Sequence, residues 1–271
     1  MTATVAAAVD LRLVVADMDG TLLDEHGRVP AGLWPLLAVM RERGVLFVPA
    51  SGRQYATLAR EFTGAAAGMP FIAENGAYVV RDGVEISSDP LGPDVVRDVL
   101  PALRAVPADL GVVVCGKRSA YVERGDEAFL AEASKYYAAL EAVPDLLAVD
   151  DEVLKLAVYD FGDAERDLAP HLARFRSAAH RVVVSGPHWI DLMSATADKG
   201  AAVRRLQDAL GISPAQTAAF GDYLNDLEML DAAEWSFAMA GAHPEVTRRA
   251  RFQAPSHRDH GVVTTLARLL A

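Results

Sequence analysis

Short apolar runs alternate with segments of helical spacing at both ends of this chain. The run from Leu11 to Asp17 predicts a buried strand, and the leucines and Met40 within 32–43 predict a helix that Gly44 ends. A second apolar strand is predicted over 45–50, so the three segments form one strand-helix-strand unit. The rhythm returns after Lys199, where the pattern predicts strands at 217–220 and 235–239 and helices at 201–210, 222–230, 244–250 and 262–270. Such alternation favours an α/β fold with a doubly wound parallel sheet.

The middle of the chain has a different rhythm. Asp82-Gly83 separates two short apolar runs, which is typical of a β-hairpin. Beyond it, pairs of strands alternate with helices, so a separate α+β unit is predicted inside the first domain. The pattern assigns 1–84 and 190–271 to the core and 85–189 to the insertion, with strands at 112–115, 120–122, 153–159, 182–184 and 189–193 and helices at 94–106, 129–140 and 168–175.

Acidic residues follow two of the predicted core strands. Asp17 ends the first strand and is followed by Asp19, and Asp222 and Asp226 follow the strand at 217–220. Open α/β sheets place ligands at the carboxyl ends of their strands, and Mg²⁺ prefers carboxylate oxygens. For Asp17 and Asp19 the alternative is an ordinary turn formed by Asp19-Gly20. For Asp222 and Asp226 it is an acidic first helical turn, which the helix dipole favours.

Two further segments fit an anionic ligand. Ser51 and Gly52 lie between a strand and a helix, where a hydroxyl and free amides form an anion site. The alternative is that Ser51 only caps the helix. Lys199 begins the helix that returns the chain to the core, and its alternative is a solvated lysine at a helix start.

Composition limits the partners. The formal net charge is −11, from 26 basic and 37 acidic residues, which argues against general binding of nucleic acid or an anionic membrane. Cys115 is the single cysteine, so an intrachain disulfide is impossible and a reducing cytosol is natural. No basic leader and no uncharged apolar segment of spanning length is evident. A cytoplasmic protein, monomeric or homodimeric, is therefore expected.

The acidic and phosphate-binding segments occur in an order that resembles a known family. Asp17-x-Asp19-Gly20-Thr21, Ser51-Gly52-Arg53, Lys199-Gly200 and Gly221-Asp222-x-x-Asn225-Asp226 together resemble the haloacid dehalogenase superfamily of phosphatases. Glu74-Asn75-Gly76 and the segment 238–246 are similar to the Cof-type subfamily, subclass IIB, which carries a large α/β cap before the lysine. Ala240-Gly241 departs from the Gly-Asn usual in that subfamily.

This resemblance implies a mechanism and a set of roles. Asp17 would be the nucleophile that takes the phosphoryl group, and Asp19 would protonate the leaving oxygen and later deprotonate water. Mg²⁺ would bind Asp17, the carbonyl of Asp19, and Asp222. Ser51 and Lys199 would be catalytic, and the phosphate would be held by Asp17, Met18, Asp19, Ser51, Gly52, Lys199 and Asn225. Thr21, Arg53, Asn225 and Asp226 would support the metal or Lys199.

The predicted function is a Mg²⁺-dependent phosphatase of a small phosphorylated metabolite, such as a sugar phosphate or a phosphorylated cofactor. A phosphomutase with the same nucleophile, or a non-catalytic phosphate sensor, is the alternative. Within the insertion, Lys117 and Arg118 in a predicted turn, or His188, are candidates for contact with the leaving group. A surface hairpin without contact to substrate is the alternative for that turn.

Overall fold

The computed structural model describes residues 10–271, so the first nine residues of the predicted core segment lie outside the described part. Two sheets organise it, and each combines strands that are distant in sequence. In chain order the described strands and helices are β1 (Leu13–Asp17), α1 (Leu33–Glu42), β2 (Leu46–Ala50), α2 (Tyr55–Glu61), β3 (Pro70–Ala73), β4 (Tyr78–Arg81), β5 (Val84–Ser88), α3 (Pro93–Arg104), β6 (Leu110–Gly116), β7 (Ala120–Val122), α4 (Glu127–Ala133), β8 (Leu140–Ala142), β9 (Val153–Asp160), α5 (Ala169–Leu172), β10 (His180–Val184), β11 (Trp189–Ser194), α6 (Lys199–Leu210), β12 (Thr217–Gly221), α7 (Leu227–Asp231), β13 (Trp235–Met239), α8 (Pro244–Arg249), β14 (Phe252–Ala254) and α9 (Gly261–Leu269).

The larger sheet has the strand order β14-β13-β12-β1-β2-β3-β4-β5. All pairs from β14 to β3 are parallel, and the hairpin of β4 and β5 adds an antiparallel edge. The chain builds outward from β1 in both directions, so the carboxyl end of β1 lies at the point where the strand order reverses. Ligands of open α/β sheets bind at such a point. The predicted doubly wound α/β core is confirmed.

Apolar layers cover both faces of the larger sheet, which explains the unbroken apolar runs of its strands. Alternate residues of β1 point into opposite layers: Val14 packs with residues of α1 and α9, and Val15 packs with residues of α6 and α7. Both side chains are fully buried. None of the helices within residues 10–271 is both long and apolar enough to cross a membrane.

The smaller sheet forms the inserted α+β unit and has the order β10-β11-β9-β6-β7-β8. Most of its pairs are antiparallel, whereas β7 and β8 run parallel. Strand membership differs at both ends from the predicted bounds of 85 and 189. β5 pairs with β4 in the larger sheet, and β11 pairs with β9 and β10 in the smaller one. The extent of the domains beyond these pairings stays a prediction.

Two short strands were missed, and three helices are shorter than predicted, among them the one predicted over 222–230, which begins only at Leu227. The helix predicted over 129–140 ends at Ala133 because the next residues bond elsewhere: the backbone of 136–139 contacts α2, and β8 pairs with β7. β8 and β14 have three residues each with a polar one in the middle, so neither forms the short apolar run that predicts β7. The segment predicted as one helix over 168–175 is a short α5 between irregular turns.

Candidate active site

The acidic residues of two neighbouring strands lie side by side at one edge of the larger sheet. Ala16 of β1 faces Phe220 of β12, so Asp17 and Asp222 leave the sheet at adjacent positions. Carboxylate oxygens of Asp17, Asp222 and Asp226 all lie within 4.8 Å of one another. The sequence pattern correctly predicts that both acid-rich turns lie together, and the roles of their residues stay predictions.

Lys199 is the ammonium group at the centre of these carboxylates. Its Nζ donates to Asp17 Oδ1 at 2.5 Å and to Asp226 Oδ1 at 2.8 Å, and its side chain is fully buried. It begins α6, whose first turn is capped by the side chain of Asp198. The interpretation of Lys199 as a solvated surface lysine is wrong. A Cβ at Gly200 would lie 2.1 Å from the carbonyl oxygen of Glu228 in α7, so a glycine there lets α6 pack closely against α7.

Both oxygens of Asp226 are engaged. Oδ1 accepts from Lys199, and Oδ2 accepts from the backbone amides of Asp222 at 3.0 Å and Tyr223 at 3.2 Å. The carboxylate therefore fixes the lysine and the turn that carries Asp222 at the same time. This arrangement fits the supporting role predicted for Asp226, although that role stays a prediction.

The turn after β1 closes against Asp222. The hydroxyl of Thr21 donates to Asp222 Oδ1 at 2.9 Å. Gly20 has a φ of +79°, and a Cβ at this position would lie 2.4 Å from Asp222 Oδ2. Only glycine permits both this backbone conformation and this approach. Gly20 and Thr21 thus hold one carboxylate in place from the opposite strand.

The loop after β2 presents a hydroxyl and an amide to the same edge. Ser51 is buried, its Oγ accepts from the amide of Arg53 at 3.2 Å, and its carbonyl accepts from the amide of Asn75 at 2.9 Å. α2 begins only at Tyr55. The alternative that Ser51 caps this helix is therefore wrong. Within residues 10–271 the hydroxyl of Ser51 donates no hydrogen bond, so its proton can be donated to a ligand.

The side chain of Asp19 forms a two-pronged ion pair with Arg53. The distances are 2.6 Å from Nη2 to Oδ1 and 3.1 Å from Nε to Oδ2. Arg53 also pairs with Glu61 of α2 at 2.5 Å. Asp19 is exposed, so its carboxyl group can meet a ligand that enters from solvent.

Asn75 joins the two polar loops and was given no role by the sequence reasoning. Its Oδ1 accepts from Asn225 Nδ2 at 3.3 Å, and its amide group would contact any Cβ placed on Gly52 at 2.9 Å. Asn75 adopts a φ of +54° and is buried. The Asn75-Gly76 pair is a turn signal that predicts this positive φ, but the contact with Asn225 depends on packing between distant segments.

Comparisons with known proteins agree with this geometry. A family model described as haloacid dehalogenase-like hydrolase matches residues 14–266. The chain belongs to the haloacid dehalogenase-like hydrolases. The 5-amino-6-(5-phospho-D-ribitylamino)uracil phosphatase YbjI of Escherichia coli K12 is 32% identical over 266 residues, which cover 96% of each chain.

Solved structures share the fold of this hydrolase. SMU.1108c from Streptococcus mutans UA159 superposes with a TM-score of 0.85 and 25% identity, over 96% of this chain and 99% of the other. The subclass IIB sugar phosphatase BT4131 superposes with a TM-score of 0.80 and 19% identity, over 95% and 98% of the two chains. The predicted family, fold class and hydrolase class are confirmed, and the name of the E. coli relative supports a phosphoric monoester hydrolase.

Electrostatics of the hydrolase site follow from its burial. Burial and the charge of Asp226 raise the pKa of Asp17 well above its ordinary value, although Lys199 opposes the shift. Burial likewise raises the pKa of Asp222. Burial lowers the pKa of Lys199, but the charges of Asp17 and Asp226 outweigh it and hold the pKa above its ordinary value. One ammonium group thus faces three carboxylates, and a further cation would relieve their repulsion.

The free oxygens of the site fit such a cation. Within residues 10–271, Lys199 engages only Oδ1 of Asp17 and Thr21 engages only Oδ1 of Asp222, so Oδ2 of each carboxylate carries no protein hydrogen bond. Both oxygens of Asp226 already accept hydrogen bonds. Hard oxygen ligands of this kind suit Mg²⁺, which binds one or two carboxylates together with water and phosphate.

The remaining predicted residues are Met18, which follows Asp17 directly, and the cap residues Lys117, Arg118 and His188. The side chain of Met18 is fully buried, so a contribution to phosphate binding would come from its backbone. Lys117 Nζ pairs with Glu85 and Glu152, each at 2.8 Å. The backbone amide of Arg118 donates to Asp151 at 2.9 Å, while its side chain is exposed.

His188 is not among the residues that the structure brings together. Its Nδ1 lies 3.0 Å from the carbonyl oxygen of Asp160 and 2.9 Å from that of Gly162. Asp160 ends β9 and Lys155, whose ammonium reaches the loop after β2, lies near its start. Asp160, which His188 contacts, therefore lies about 17 Å along β9 from Lys155. Contact of Lys117, Arg118 or His188 with substrate stays a prediction.

Proposed function

We propose that this chain is a Mg²⁺-dependent phosphatase that hydrolyses a small phosphorylated metabolite through an aspartyl-phosphate intermediate. One observation carries the proposal. Asp17 lies at the end of β1 with Oδ1 held by Lys199 and Oδ2 free, next to Asp222 and across from the Ser51 hydroxyl loop. A carboxylate fixed in this way is suited to attack a bound phosphoryl group.

The chemistry divides into two displacements. The carboxylate of Asp17 attacks phosphorus, the bond from phosphorus to the leaving oxygen breaks, and Asp19 gives its proton to that oxygen. Asp19 then takes a proton from water, the water oxygen attacks phosphorus, and the bond to Asp17 breaks to release inorganic phosphate. Arg53 holds the carboxyl group of Asp19 at the mouth of the site through two hydrogen bonds.

Charge on the phosphoryl oxygens is met by fixed groups. In this proposal the Ser51 hydroxyl, the Gly52 amide and the Lys199 ammonium stabilise it, with little reorganisation because each is already held in place. Asp17, Asp222 and the carbonyl of Asp19 would hold Mg²⁺, which when bound supplies a positive charge to the same oxygens. Asp226 would hold Lys199 in place, and Asn225 would hold Asn75 beside Gly52.

The substrate class follows from the relatives and from the charge. The E. coli relative is named for a phosphorylated ribitylamino pyrimidine, a small phosphate monoester. By similarity, we propose a phosphorylated metabolite of that size, a sugar phosphate or a phosphorylated cofactor precursor. The acidic chain, with a formal net charge of −11, is poorly suited to a polyanionic substrate such as nucleic acid.

Phosphate release from a broad panel of phosphorylated metabolites tests this proposal. The wild type should release phosphate from at least one ester, and Asp17→Asn should abolish turnover while it keeps the fold. Asp82→Asn is the matched control, because it makes the same change in an exposed hairpin turn where the residue has a φ of +52° that asparagine tolerates. Isomer formation without phosphate release would indicate a mutase, and binding without either reaction would indicate a sensor.

A further inference from the structure

Lys155 is a charged residue in the interior of a largely apolar strand of the cap. Every residue of β9 is buried, and Lys155 is 3% exposed. Its Nζ lies 2.9 Å from Glu74 Oε2 and 3.4 Å from Asp191 Oδ2. Burying such an ion is unfavourable unless its partners are well placed. The ammonium of Lys155 therefore depends on the groups that surround it.

The ammonium reaches out of the cap to the loop that follows β2. Lys155 Nζ donates to the carbonyl oxygen of Gly52 at 2.9 Å. That carbonyl belongs to the same peptide group as the amide of Arg53, which donates to Ser51 Oγ at 3.2 Å. A charged donor on the carbonyl polarises this peptide group and strengthens the bond that its amide makes. Lys155 is thus linked through one peptide group to the Ser51 hydroxyl.

The same loop is held from the core side by a strained turn. Glu74 and Asn75 have φ values of +51° and +54°, which non-glycine residues seldom adopt. The amide of Glu74 donates to the carbonyl of Arg53 at 3.1 Å, and the amide of Asn75 donates to the carbonyl of Ser51 at 2.9 Å. The core thus binds the carbonyls of Ser51 and Arg53, and the cap binds the carbonyl between them.

The bond from Lys155 depends on the position of the cap. Beside the loop, the side chain of Gln54 pairs with both backbone groups of Ala139 at 2.9 Å. One turn further along α2, Thr57 Oγ1 donates to the carbonyl of Tyr136 at 2.8 Å and accepts from the amide of Ala138 at 3.0 Å. These contacts dock the cap on α2, and a cap that left α2 would withdraw Lys155 from Gly52.

We propose that Lys155 is a positioning residue of the phosphate site, which fixes the Ser51–Arg53 loop for phosphate when the cap is docked. The inference rests on the phosphate chemistry proposed above and adds a cap residue that acts through the loop, without touching substrate. Burial lowers the pKa of Lys155, but Asp191 and Glu74 outweigh it and keep the pKa above its ordinary value, so the group stays charged at neutral pH.

Lys155→Met tests the proposal, because methionine keeps much of the apolar stem and removes the ammonium. The probe is inorganic phosphate, measured as a competitive inhibitor of p-nitrophenyl phosphate hydrolysis and by direct titration of the folded protein. Phosphate affinity should fall about tenfold or more, the range seen when a group supporting a ligand-binding residue is removed. Lys135→Met is the matched control: it makes the same substitution in the cap, at an exposed lysine whose ammonium pairs with Glu132 at 2.7 Å instead of Gly52. Its phosphate affinity should equal that of the wild type.

A second variant is needed in case Lys155→Met does not fold. Lys155→Met alone leaves Glu74 and Asp191 buried without a counter-charge, so the triple variant Lys155→Met, Glu74→Gln, Asp191→Asn removes the whole charge cluster. It should fold and show the same loss of phosphate affinity. Wild-type affinity in either folded Lys155 variant, or an equal loss in Lys135→Met, would overturn the proposal. If the wild type itself neither binds nor releases phosphate, the proposed function fails instead.

Discussion

Gly20→Ala is a sharp test of the site because it should damage metal binding far more than the fold. Gly20 has a φ of +79°, and an added Cβ would lie 2.4 Å from Asp222 Oδ2. Gly27 provides the matched control, since its φ is +70° and a Cβ there meets no atom within 4 Å. Both substitutions impose the same left-handed strain, and only one of them displaces a proposed metal ligand.

The magnitudes follow from these distances. Left-handed backbone costs an alanine about 1–2 kcal/mol, so both variants should lose that much free energy of unfolding. Non-bonded atoms rest at roughly 3.5 Å, so the carboxylate of Asp222 has to move by about 1 Å in Gly20→Ala. A displacement of this size costs on the order of 10²-fold in rate when it misplaces a reacting group. The Mg²⁺ concentration for half-maximal activity should also rise about tenfold or more.

The assay is Mg²⁺ titration of phosphate release, together with denaturant unfolding of both variants in metal-free buffer. Gly20→Ala should need more Mg²⁺ and turn over more slowly, whereas Gly27→Ala should match the wild type in both. Equal Mg²⁺ requirements in Gly20→Ala and Gly27→Ala would refute the assignment of Asp222 as a metal ligand.

Three further predictions concern the metal, pH and the cap. EDTA should stop phosphate release, Mg²⁺ should restore it and Ca²⁺ should do so poorly, because Ca²⁺ relaxes the octahedral geometry; full activity in metal-free buffer would contradict this. Because the folded pKa of Asp17 lies above its ordinary 3.8, the folded metal-free protein binds more protons than the unfolded chain, and its stability should fall as pH rises above that value. Mg²⁺ displaces those protons, so it should raise the Tm more at neutral than at acidic pH; an equal rise at both would count against this. Lys117→Ala with Arg118→Ala should weaken hydrolysis of the best metabolite more than that of p-nitrophenyl phosphate, and equal losses would exclude recognition by this turn.

The sequence was most informative where local chemistry decides the structure. The buried run before Asp17 and the small residues after it are enough to predict a strand that ends in a ligand site, and the same holds for Asp222 after β12. Parallel strands must place these ends at one edge, so their convergence could be inferred without coordinates. Gly44 and Gly211 likewise end their helices with positive φ, as expected for such positions.

Contacts between distant segments could not be inferred in this way. Nothing in the spacing around Lys199 says that it is buried between Asp17 and Asp226, because that depends on how α6 packs across the sheet. The helix predicted beyond Ala133 has suitable periodicity, but its backbone bonds to Gln54 and Thr57 instead. Lys155 was overlooked even though a lysine inside an apolar strand is itself a signal that a buried partner exists.

The stereochemical course at phosphorus distinguishes an aspartyl-phosphate intermediate from direct attack by water. A phosphorothioate ester that is chiral at phosphorus through isotopic labels is hydrolysed in labelled water, and the configuration of the product is determined. Transfer to Asp17 and then to water inverts phosphorus twice, so this account predicts net retention. Net inversion would mean that water attacks the substrate directly, and it would contradict an aspartyl-phosphate intermediate.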